Sequence, residues 1–374
     1  MKKLVQSLLF VSLIGWNQGN ASARAKSAKK VKAPVVGVAW SQEGSGFLNG
    51  LNMAMEEINE SAKLKYPLKL DIKDDEGSVT QGLLHAEEFI GDHNVVAVIG
   101  HRESDITVPA STMYAINGLF MITPNSTAVE LTSKGYGQIF RGIPSDRALG
   151  RGLVRYFKNK GKKEVMMCYV NSVYGRSLAN EFETMAEREG IIVKDRVSYD
   201  VGDEREFEKI AKKWKTFDFD SIMFIGLMPR GVNFIKVSRG AFPGVPIIMS
   251  ETMVNKQLLE EPKSLTEGLV LPALFHKNKP NQRVRTFVEK YREKYGVEPD
   301  QESALGYDCM HLLGEAILKA GSFVTADIAK AIRELEDYEG VAQIYNFDEK
   351  GDLAVTGDIA MQVISDGKFT LEKN

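Results

Sequence analysis

From Ala33 onward, short runs of apolar and β-branched residues alternate with stretches whose apolar positions recur at helical spacing. The runs Ala33–Trp40, Leu68–Lys73, Val95–Ile99 and Leu119–Ile122 read as strands, with helices at Gly46–Ser61, Thr80–Gly91 and Asp105–Ile116 between them. Strands that alternate with helices in this way form a parallel sheet covered on both faces. A second series follows, with strands at Glu164–Val170, Ile191–Ser198, Ser221–Ile225 and Val245–Met249 and helices at Arg147–Asn159, Arg176–Arg188, Glu204–Lys215 and Gly231–Arg239. The run Arg141-Gly142-Ile143-Pro144-Ser145 interrupts the pattern between the two series. After the strand-like Gly268–Phe275, helices at Gln282–Tyr295, Glu302–Ala320 and Ala326–Leu335 need a sheet to cover, and only Val341–Phe347 and Asp358–Ile364 remain to build one. The expectation is an α/β protein of two doubly wound parallel-sheet lobes, one formed by residues 34–144 plus 273–355 and the other by 145–272 plus 356–374. The chain then crosses three times, near Pro144, Pro272 and the segment from Phe347 to Thr356, which makes a hinge.

The N-terminus differs in kind. Lys2 and Lys3, the mostly apolar run Leu4–Ile14 and the small residues Ala21-Ser22-Ala23-Arg24-Ala25 form the three parts of a secretory signal peptide, residues 1–25, cleaved after Ala23 or Ala25. The apolar run is too short to span a bilayer, so the expected product is soluble and exported, most simply to a periplasm. With 48 Lys and Arg against 50 Asp and Glu, the chain has no basic footprint for nucleic acid. Its two cysteines, Cys168 and Cys309, read as small core residues in different lobes, too far apart to bridge.

In open parallel sheets ligands bind beyond the carboxyl ends of the strands, so function is sought in the residues that follow each one. Ser104 and Thr127 each stand at an expected helix start, where backbone N–H groups and the helix dipole favour an anion; as ordinary N-caps they would serve only their own helices. Glu251 ends an apolar run, and burial there would demand a cationic partner; taken singly, such a residue is more often a solvated loop acid. His101 either lines a cleft or makes a structural hydrogen bond. The run Gly44-Ser45-Gly46-Phe47-Leu48-Asn49-Gly50, with Asp74 or Asp75 as a ribose acid, misses the dinucleotide spacing by one residue. The five histidines lack metal-ligand spacing, and no nucleophile–base motif occurs. No metal, cofactor or covalent chemistry is expected.

The runs Asp74-Asp75, Gly100-His101 with Ser104, Pro109-Ala110-Ser111, Ile122-Thr123-Pro124 with Thr127 and Glu130-Leu131-Thr132, Tyr174-Gly175, Glu251, Gly306-Tyr307-Asp308 and Phe347-Asp348-Glu349-Lys350-Gly351-Asp352 occur in an order and spacing that cover nearly all of the mature chain. In these the chain resembles the type I periplasmic substrate-binding proteins of ABC importers, especially the leucine/isoleucine/valine-binding group. The resemblance implies that Ser104 and Thr127 hold a ligand α-carboxylate, that the Asn125 carbonyl and Glu251 take the α-ammonium, and that Tyr174 closes over the ligand. It further implies a monomer that delivers an amino-acid-like molecule to a membrane permease. Two aromatics of the branched-chain pocket correspond here to Glu43 and Leu227, and Glu43 or Arg102 would meet a polar side chain if it pointed inward. An alternative expectation on the same fold is a binder of an amide, urea or aromatic acid, and one from a different class is an exported enzyme such as a hydrolase or oxidoreductase.

Overall fold

The structure is a computed structural model that describes residues 31–41, 45–200, 202, 205–355 and 357–372. The proposed signal peptide and Glu43 lie outside these residues. The chain divides into two compact units: unit 1 runs up to Ile143 and again from Pro280 to Ala354, and unit 2 comprises Pro144–Lys279 and the chain from Val355 onward.

The first pass through unit 1 gives β1 (Val35–Ala39), α1 (Ser45–Glu60), β2 (Lys69–Lys73), α2 (Val79–Gly91), β3 (Val95–Gly100), α3 (Ser104–Ile116), β4 (Phe120–Thr123), α4 (Glu130–Ser133) and β5 (Ile139–Arg141). Unit 2 follows with α5 (Asp146–Asn159), β6 (Glu164–Val170), α6 (Val173–Arg188), β7 (Ile192–Tyr199), α7 (Glu206–Trp214), β8 (Ser221–Ile225), α8 (Arg230–Ala241), β9 (Ile247–Met249), a 3-10 turn at Glu251–Met253, α9 (Lys256–Glu260), α10 (Lys263–Thr266) and β10 (Val270–Ala273). The chain returns to unit 1 with α11 (Gln282–Tyr295), α12 (Gln301–Ala320), α13 (Thr325–Arg333), β11 (Tyr338–Glu339) and β12 (Ile344–Tyr345), then ends in unit 2 with β13 (Ala360–Ser365) and β14 (Lys368–Leu371).

The sheet of unit 1 has the order β2-β1-β3-β4-β5 and is parallel throughout. Its central strand β3, VVAVIG, is buried at every position, as expected for a strand with helices on both faces. In unit 2 the order is β14-β13-β10-β9-β8-β6-β7. Each order reverses direction beside its first strand, between β1 and β3 in unit 1 and between β6 and β8 in unit 2, and such switch points open a crevice at the strand ends.

The sheet of unit 2 is mixed rather than wholly parallel, because β13 runs antiparallel to β10 and β14 antiparallel to β13. A tight turn at Asp366–Gly367, both at positive φ, makes this hairpin, and only antiparallel strands join through so short a connection. The run Val341–Phe347 builds no large sheet; part of it pairs with β11 as a two-stranded ribbon in unit 1. Residues 274–279 stay with unit 2, so the second crossing falls at Pro280.

Helix α12 starts with a capping box between Asp300 and Ser303 and ends at Gly321 in the left-handed conformation. It packs so closely on α1 that a side chain on Gly50 would strike the Ser303 carbonyl and one on Gly306 the Phe47 carbonyl. Asp308, fully buried on this helix, accepts from the N–H groups of Val341 and Ala342 and from the Tyr345 hydroxyl, and so anchors the ribbon.

Candidate functional site

In unit 1 the polar groups gather at the carboxyl ends of β1, β3 and β4. Thr123, the last residue of β4, donates its hydroxyl to the His101 carbonyl at 3.0 Å and accepts from the Ser126 N–H at 3.1 Å, which folds the chain back beside α3. Asn125 donates its side-chain amide to the Arg102 carbonyl at 3.1 Å. Ser104 is the first residue of α3, whose N-cap Glu103 makes no side-chain cap bond. The Ser104 hydroxyl instead accepts from Ser126 Oγ at 3.0 Å. Thr127 does not begin a helix: it precedes the four-residue α4 by three positions, and its Oγ1 is buried without a hydrogen-bond partner. A buried hydroxyl without a partner costs free energy. At the end of β1, Trp40 stacks on Phe47 with ring centres 3.7 Å apart, and both Trp40 Nε1 and Ser41 Oγ are likewise buried and unpartnered.

Arg141, at the end of β5, holds this loop. Wholly buried, it donates to the carbonyls of Ser126 and Ala128 at 3.1 and 2.8 Å and to Thr132 Oγ1 at 2.9 Å, while its Nε pairs with Asp352 at 2.7 Å. The sequence marked this segment only as an interruption; a basic residue ending an apolar strand was the available signal. His101 belongs to the framework, its Nδ1 3.0 Å from Asp75 and its Nε2 3.0 Å from the Tyr114 hydroxyl. Asp75, one of the two candidate ribose acids, is thus engaged and buried. Arg102 is drawn to Glu302 at 3.1 Å and Glu103 at 3.2 Å.

Unit 2 gathers its own groups after β6, β8 and β9. Ser172 caps α6 by accepting from Gly175 N–H at 3.0 Å, which sets Tyr174 in the first turn. The Tyr174 hydroxyl lies 3.2 Å from Thr252 Oγ1, which donates to the Gly226 carbonyl at 2.6 Å and sits 2.9 Å from Ser250 Oγ. Between Ser250 and Thr252 stands Glu251, only 2% exposed, with Oε2 unpartnered. Burial, and next the charge of Asp146, push its pKa up to about 8, against the pull of its own backbone N–H and the Tyr174 hydroxyl. The cation that burial was expected to require is not among the groups acting on Glu251; its charged neighbour is another acid, Asp146, fully buried at the start of α5. Ionised, a carboxyl so placed would need a cationic partner. Leu227 follows β8 and is 37% exposed.

Ser104, Asn125 and Thr127 thus share one loop system in unit 1, and Tyr174 and Glu251 one in unit 2. Sequence reasoning singled out none of Ser126, Arg141, Asp146 and Thr252, each of which has a partner distant in the chain. Cys168 and Cys309 are free, buried and in different units, with burial pushing both thiols up. No metal-binding group of His, Cys, Asp or Glu occurs among the described residues.

Two α/β units, each with polar groups after the strands of its switch point, define the two-lobed solute-binding class. The sequence matches the family described as periplasmic binding protein over residues 13–368, and the chain belongs to that family. It is 28% identical over 360 residues to the leucine-, isoleucine-, valine-, threonine-, and alanine-binding protein of Pseudomonas aeruginosa, covering 94% of this chain and 95% of that one. A Leu/Ile/Val-binding protein homolog of Brucella suis is 26% identical, with 87% and 88% covered. Among solved structures, an ABC transporter substrate-binding protein from Desulfitobacterium hafniense in complex with Leu superposes with a TM-score of 0.81 at 34% identity, covering 91% of this chain and all of that one. A leucine-binding protein from Thermotoga maritima gives 0.83 at 27% identity, covering 91% and 98%.

Proposed function

We propose that this chain is an exported binding protein that captures an amino acid, holds its carboxylate through unit 1 and its ammonium through unit 2, and delivers it to an ABC permease. Glu251 carries the reading: a buried acid with a raised pKa and an unpartnered oxygen calls for an organic cation, as the unpartnered Thr127 hydroxyl calls for an acceptor. The relatives named above support an aliphatic side chain on that ligand, and the exposed Leu227 is suited to pack against one. Engagement of both ends requires the units to close on the ligand, so ligand selects the closed form. The protein binds without reacting, and works in a periplasm after loss of its leader.

A thermal-shift screen of ligand-stripped protein against the twenty amino acids, with small amides and aromatic acids alongside, tests the proposal. Stabilisation by leucine-like zwitterions supports it; stabilisation by uncharged amides or by benzoate alone overturns it.

A further inference from the structure

Unit 1 has a cavity at the end of its sheet opposite Thr127. It lies where β3, β4 and β5 begin, beside Val95, Gly118 and Gln138, and under α13. Its volume of about 590 Å³ is in the range of small-molecule sites. Ala115, Ala326 and Ala329 give it apolar walls, and Lys330 and Arg333 bring positive charge.

Arg333 is the informative residue. Its Nη1 donates to the Ala329 carbonyl at 2.9 Å, and its guanidinium carbon lies 4.6 Å from the centre of the Phe140 ring. Its Nη2 is buried with no hydrogen-bond partner. Burial holds its pKa below the ordinary arginine value, with Asp348 opposing. The nearest acid in the lining, Glu334, faces Lys319 and Lys330 at 3.8 Å each. Arg333 as a whole is half-buried, but its Nη2 is left without an acceptor, which is costly for a cationic donor.

We propose that this cavity is a second ligand site, for a small monocarboxylate with an alkyl body, its carboxylate on Arg333 and its chain against the alanine walls. Lys330, whose side chain is 79% exposed and whose Nζ lies 3.8 Å from Glu334, lines the same cavity. The site is independent of the amino-acid reading, because it shares no residue with the Thr127 loop.

The probes are octanoate, octanol and octylamine, titrated into protein carrying 13C-methyl alanine. Octanoate is expected to shift the methyls of Ala115, Ala326 and Ala329 saturably and to leave Ala128, beside Thr127, unmoved. Octanol and octylamine are expected to bind at least about tenfold more weakly, the loss of one charge-assisted hydrogen bond. Arg333→Gln should remove the preference for octanoate over octanol, Arg333→Lys should restore part of it, and Ala326→Trp should fill the cavity and abolish binding. Octanol binding as tightly as octanoate, shifts at Ala128 in place of the three alanines, or no shift up to the solubility limit would each overturn the proposal. The wild-type titration decides the matter even if a variant fails to fold.

Discussion

Ionising Glu251 should destabilise the ligand-free protein. Its carboxyl ordinarily titrates at 4.5 and is pushed up to about 8 in the fold. Each unit corresponds to about 1.36 kcal/mol, so the folded state resists ionisation by on the order of 5 kcal/mol relative to the unfolded chain. Because the folded value is the higher one, the folded protein keeps a proton that the unfolded chain has released. The stabilisation is complete below the unfolded value of 4.5 and is lost as pH rises toward about 8. The slope reaches at most about 1.4 kcal/mol per pH unit for one proton. Glu251→Gln cannot ionise, so urea denaturation of both proteins between about pH 5 and about pH 9 should show the variant gaining on wild type as pH rises. Titrating groups that do not interact with Glu251 cancel in that difference, whereas Asp146, whose charge acts on Glu251, titrates together with it. The same proton should appear in binding: an incoming ammonium needs the carboxylate, so calorimetry near neutral pH in buffers of different ionisation enthalpy should find roughly 0.9 proton released per ligand. A stability difference that does not vary with pH, together with buffer-independent heats, would refute the reasoning.

Arg141→Met should destabilise unit 1 by about 3 kcal/mol in urea, since it removes the ion pair to Asp352 and leaves two buried carbonyls without that donor, and should weaken carboxylate ligands by loosening the Thr127 loop. Asp308→Ala leaves three buried donors without an acceptor and should cost about 3 kcal/mol or more; a loss under about 1 kcal/mol would contradict its role as the anchor of the ribbon. Cys168 and Cys309 should both be inert to a thiol reagent in the native protein and both react after denaturation, and a Cys168–Cys309 disulfide found by mass spectrometry would contradict their placement in different units.

The parts of the fold legible in the sequence are those governed by local pattern. β3 and β8 are mostly apolar runs because both faces are covered, and the binding candidates were sought just after strands because parallel strands present those segments together. Strand direction is not local: alternation in residues 358–364 reads the same whether the strand runs with β10 or against it. β5, three residues long, is too short to show a period. Thr127 was expected to start a helix because the polar loop ahead of Glu130 resembles a cap, yet the chain there is held by Arg141 from another strand. Asp146 carried no signal for the same reason: a Ser-Asp pair at a helix start is ordinary, and only the fold sets it against Glu251.

The central claim, that the two units read opposite ends of one zwitterion, is tested most directly by calorimetry of L-leucine, 4-methylpentanoate and 3-methylbutylamine against wild type, Thr127→Val and Glu251→Gln. Thr127→Val should weaken leucine and the acid while leaving the amine unchanged. Glu251→Gln should weaken leucine and the amine by about tenfold or more while leaving the acid unchanged. Equal losses for acid and amine in either variant would contradict the assignment of the carboxylate to unit 1 and the ammonium to unit 2.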